Sequence, residues 1–135
     1  MDVAVPVFTA ALYHISSTDC SLLQAMARDA EDGKYSEFRV QATEAAIVVD
    51  VGWLWPWRPN GKHDHLNAIW RRLDEGFSRE FCDIILAAAE KKCWLVKFEP
   101  TSDQNEEFTV FSGDEVTIRR TTNRLDEFLE RWDVF

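Results

Sequence analysis

Glycine, proline and cysteine are all scarce in this chain: five, four and three among 135 residues. So little glycine and proline excludes collagen-like and low-complexity chains. Cys20, Cys82 and Cys93 are an odd number with no C-x-x-C spacing, so neither a disulfide framework nor a zinc knuckle is encoded locally, and a reducing compartment is expected. No uninterrupted apolar run exceeds about six residues, well short of the roughly 18 that a membrane-spanning helix needs. Asp2 stands where a secretory signal would carry positive charge. The sequence therefore reads as a soluble, cytoplasmic protein without a membrane partner.

Bases are in deficit as well, with 15 Lys and Arg against 24 Asp and Glu, a net charge of −9 and a pI near 4.7. Direct nucleic-acid binding needs a basic face that displaces counterions from phosphates, so it is not expected. The deficit is uneven: residues 1–50 carry −5, residues 51–100 carry +1 and residues 101–135 carry −5. Such a chain attracts a partner with a basic surface, although acidity also serves solubility alone. A phosphate-cradling glycine loop, a G-x-S-x-G elbow, an H-E-x-x-H pair and a P-loop are all missing. No cofactor is expected, and the five glycines read as turns and helix stops.

What is abundant is aromatic surface. Residues 51–61 read Val-Gly-Trp-Leu-Trp-Pro-Trp-Arg-Pro-Asn-Gly and hold three of the six tryptophans. Each indole carries roughly 150–250 Å² of mostly apolar area and an N–H that needs a partner once buried, so the run is either core or contact surface. Trp53 and Trp55 keep the parity of Val49 and Val51 and are expected in the core if the strand runs on. Trp57, between Pro56 and Arg58, is expected to be partly exposed.

The remaining periodicities place ten elements. A proline-containing strand over 3–9 has edge character. Ser16 to Asp19 then caps a helix carrying Cys20, Leu23, Met26, Ala27 and Ala30 at helical spacing up to Asp32-Gly33. Strands over 35–42 and 45–51 pair as a hairpin. Leu66, Ile69, Trp70, Leu73 and Phe77 mark a second helix, and Ser78 caps a third that is apolar on most sides and therefore central. Residues 93–98 form a strand, residues 101–107 an acidic loop, and Ser112-Gly113-Asp114 joins two strands. Asn123 caps a final amphipathic helix with Leu125, Phe128, Leu129 and Trp132 on its apolar face. The order β-α-β-β-α-α-β-β-β-α lacks a regular β-α-β repeat. It predicts a single α+β domain over 1–135, with a mixed or largely antiparallel sheet of about six strands packed with four helices.

Three groups of residues could carry chemistry. His63-Asp64-His65 offers two imidazoles around a carboxylate, so His63 and His65 are weak metal candidates. On a helix, however, they stand about 200° apart, and a helix N-terminus explains them more simply. Cys20, at a helix start with His14 nearby, is the best placed thiol for nucleophilic chemistry, against a simpler reading as a small core residue. Arg58 beside the tryptophans joins the residue types most enriched in interface hot spots, or stacks on an indole within the fold.

The sequence thus predicts a non-enzymatic protein that binds and inhibits or neutralises another protein, in the manner of an immunity protein against a toxin or a phage inhibitor of a host defence complex. Asp103, Glu106 and Glu107 supply the acidic contact, with Trp55, Trp57 and Arg58 as anchors. The alternative is a small enzyme or ligand-binding domain whose pocket is built from the Trp53-Trp57 loop and His63/His65. A homodimer that buries the tryptophans between identical subunits is a third reading.

Overall fold

The computed structural model describes residues 7–31, 33, 39–43, 46–51, 69, 71–100, 106–120 and 124–132. Its elements follow the expected order. Strand β1 is Val7–Ala11, followed by a 3-10 turn over Leu12–His14 and helix α1 over Ser17–Glu31. Strands β2 (Val40–Ala42) and β3 (Ile47–Asp50) come next. Helix α2 is described at residues 69 and 71–74. Then come α3 (Arg79–Glu90), β4 (Leu95–Glu99), β5 (Val110–Ser112), β6 (Glu115–Ile118) and α4 (Arg124–Trp132). The fold is α+β.

The six strands among the described residues divide into two sheets. Four form a mixed sheet in the order β1-β4-β3-β2, with β1 parallel to β4 and the other pairs antiparallel. Register explains its core. Phe8, Val96, Val49 and Val40 form one row across all four strands, and Ala10, Phe98, Ile47 and Ala42 form the next. Because side chains alternate along a strand, both rows share one face, and every member is buried except half-buried Ala42. The intervening residues, among them Thr9, Lys97, Val48 and Gln41, face the other way and are half-buried or exposed. The edge position of β1 agrees with the proline just before it.

Helix α3 covers the buried face. Phe81 stacks on Phe77 at 4.5 Å between centroids and lies 6.1 Å from the Phe98 ring. Every residue from Phe81 to Ala89 is buried, as expected of a helix apolar on most sides. The Ser78 hydroxyl caps it by accepting from the Phe81 N–H. The helix stops at a Schellman motif, in which the Cys93 N–H donates to Ala88 O and the Lys92 N–H to Ala89 O. Lys92 supplies the left-handed residue, with φ 58°, where glycine is usual.

The second sheet is the β5-β6 hairpin, which attaches through side-chain contacts and single hydrogen bonds rather than a ladder. The buried His14 ring donates from Nδ1 to Thr109 O at 2.9 Å and packs edge-on against Phe108. At the hairpin's tip, Gly113 O accepts from the Ser17 N–H and the Asp114 carboxylate from the Thr18 N–H. The Ser16 N–H donates to Asp19 and the Asp19 N–H to the Ser16 hydroxyl, a reciprocal capping box. The N–H groups of residues 16–19 at the head of α1 are thus all satisfied.

Candidate functional site

Two of the expected contact residues, Glu106 and Glu107, are exposed in a turn just before β5. Trp53, Trp55, Trp57, Arg58, Asp103, His63 and His65 lie outside the described residues. Glu107 reaches Arg124 at the start of α4, with its Oε2 3.6 Å from Nη2. Arg124 also holds Asp83 of α3 through Nη1 at 3.1 Å and Glu90 through Nε at 3.1 Å. One guanidinium therefore ties the acidic turn, the middle and the end of α3, and the first turn of α4 to one point.

The physics of that point is asymmetric. The Arg124 side chain is only 19% exposed. Burial acts to lower its pKa, but the carboxylates of Asp83 and Glu90 outweigh burial and raise it. Three carboxylates around one cation leave the group net negative by two charges. Glu106, Glu127 and Glu130 extend the acidic surface on the same turn and helix, all of them exposed. Sequence periodicity placed Arg124 on the wet face of the last helix. It instead turns toward α3 and pairs there with Asp83, a carboxylate buried within an apolar helix, where a charge needs compensation. That lone acid between Cys82 and Ile84 was the signal available in the sequence.

Cysteine chemistry finds no support at these positions. Cys20 is half-buried against the core, and burial first, then Asp19 and Asp114, push its thiol up, away from the reactive thiolate. Burial foremost pushes Cys82 to about 12. His14, the expected base, is committed to Thr109 and kept below its ordinary value by burial. Among the described residues, no group of three or more His, Cys, Asp or Glu is arranged to hold a metal, and no helix is long and apolar enough to cross a membrane.

Comparison with protein-family models, with curated proteins and with solved structures finds no match to this chain.

Proposed function

We propose that the protein binds another protein bearing a basic surface and thereby inhibits or neutralises it, as an immunity protein or a phage inhibitor of a host defence complex does. The observation that carries this reading is the gathering of three carboxylates around Arg124, Asp83 and Glu90 by hydrogen bonds at 3.1 Å and Glu107 at an ion-pair distance of 3.6 Å. Carboxylates held in place by a helix pair lose less freedom on binding than carboxylates on a loose loop. Their surplus negative charge also steers a basic partner into register. Nucleases and other nucleic-acid-handling machines present basic clefts, which an acidic face can occupy in place of a phosphate backbone.

The test is recovery of a partner from the native host by wild type, by Glu106→Lys/Glu107→Lys and by Trp55→Ala, with circular dichroism to confirm that each folds. The reading expects a stable complex that the double charge reversal weakens, with an association rate that falls steeply as salt is raised. Recovery of no stable partner, or of the same partner at unchanged affinity by both folded variants, refutes it.

A further inference from the structure

Ion pairs cross the seam between α4 and its neighbours in both directions. Arg124 of α4 bonds Asp83 and Glu90 of α3 and approaches Glu107 in the turn before β5, while Arg79 of α3 bonds Asp126 of α4. Most of these groups are wet: Arg79, Glu90, Glu107 and Asp126 have side chains 47% to 65% exposed. Pairs of that kind are screened by salt, and each shifts an equilibrium only severalfold.

Apolar anchoring adds little. Leu125 is buried, but Phe128 and Leu129 are only half-buried. Under the seam, between α3, the hairpin and α4, lies a cleft of about 180 Å³ with Phe108, Thr109 and Leu125 buried in its wall. Three guanidiniums and three carboxylates line it, so its charges balance and it offers no pocket for either sign. Protein interiors are close-packed, and a contact that leaves this much space unfilled is a loose one. Helix α4 also has only nine residues. Isolated helices shorter than roughly 12 to 15 residues are marginal in water, so α4 is helical because it is docked and melts when it leaves. Helix α3, with every residue from Phe81 to Ala89 buried, opens only with the core.

We infer that α4 is an autoinhibitory latch, which leaves α3 and the hairpin as a unit while the rest stays folded, and whose Arg124, when docked, occupies the carboxylates that a basic partner takes. The docked state displays the competition, since a guanidinium already sits among Asp83, Glu90 and Glu107 where a partner's arginine would bind. Undocking removes the single cation from three carboxylates, and the surplus there rises from two negative charges to three. By linkage, a basic partner favours undocking as much as undocking favours the partner. The competition rests on the basic partner proposed for this face, whereas the opening does not.

The experiment is native-state amide exchange, followed by NMR on the intact protein and corrected for intrinsic rates. The amides of Phe128, Leu129 and Glu130 should exchange at least about 100-fold faster than those of Ile85 and Leu86. Raising NaCl from about 0.05 to 0.5 M should speed α4 and leave α3 unchanged. Arg79→Gln should speed α4 about twofold to fivefold, and Lys97→Gln, on β4, should not. A blocked tetra-arginine peptide should speed α4 beyond NaCl of equal ionic strength in wild type, and lose that excess in Glu90→Gln/Glu107→Gln. Each reading is made without the host partner, so the latch and the proposed partner fail separately. Exchange of α4 at the rate of α3, no effect of salt, equal effects of Arg79→Gln and Lys97→Gln, or a peptide effect no larger than that of salt overturns the inference.

Discussion

Asp19 and Ser78 lock the beginnings of two helices together. The buried Asp19 carboxylate accepts from the Ser78 N–H at 2.8 Å and from the Ser78 hydroxyl at 2.6 Å. The same carboxylate closes the capping box of α1 with Ser16, and the same hydroxyl accepts from Phe81 to cap α3. Two helix caps therefore share one hydrogen-bonded chain.

Replacing Asp19 with Ala should cost about 3 kcal/mol, because it removes charge-assisted bonds from three buried or half-buried donors at once. Ser78→Ala should cost about 1 to 2 kcal/mol. Urea unfolding of the double mutant should show a loss smaller than the sum of the single losses, since both changes break one network.

Removing the cation at the acidic face has a different signature. Arg124→Met should destabilise by about 2 kcal/mol, chiefly by taking the guanidinium away from buried Asp83. Adding Asp83→Asn should recover part of that loss, whereas adding Glu90→Gln, on an exposed carboxylate, should recover little. Thermal unfolding of the four proteins at fixed pH gives the comparison.

His14 should make stability depend on pH in one direction. Burial holds its folded pKa below the ordinary 6.5, so the unfolded chain binds the extra proton first as pH falls. The contribution is fully present above about 6.5, is lost as pH drops from there toward the folded pKa, and then levels off. The Thr109 carbonyl, which favours the protonated ring, limits the loss, and the nearby charge of Arg120 deepens it. Urea midpoints measured from pH 7.5 to 5 should fall more steeply for wild type than for His14→Gln.

Thiol labelling tests the reading of the cysteines. At pH 8 in native buffer Cys82 should stay unmodified by iodoacetamide, and Cys20 should react more slowly than a free cysteine, because both thiols are pushed up by burial. In urea all three should react at one common rate. Rapid native labelling of Cys20 would return it to candidacy as a nucleophile.

Much of this architecture was legible in local pattern. The Ser78 cap, the apolar α3, the turn at Gly113 and the β2-β3 hairpin are each encoded within a few residues, and the structure places each where the pattern put it. Long-range relationships were not legible. Nothing near Val7 says that it pairs in parallel with Leu95, since a parallel partner lies far along the chain and leaves no turn signal. Nor does any local pattern announce the 3-10 turn over Leu12–His14 that follows β1 and carries His14 inward onto the hairpin. The exposure of Glu106 and Glu107 was readable from their acidity and their place in a polar segment. Arg124 was not, because helical periodicity assigns a face and cannot know that α3 presents a buried carboxylate there.

The pairing of β1 with β4 also governs the order of events during synthesis. Val7–Ala11 emerges early, but its only described strand neighbour, Leu95–Glu99, follows after α1, β2, β3 and α3. Until then a short apolar strand waits with both edges open, the condition under which nascent chains stick to one another or engage chaperones. The step that closes the sheet is therefore expected late, and conditions that slow it should show first as aggregation during expression rather than as lost stability of the finished fold.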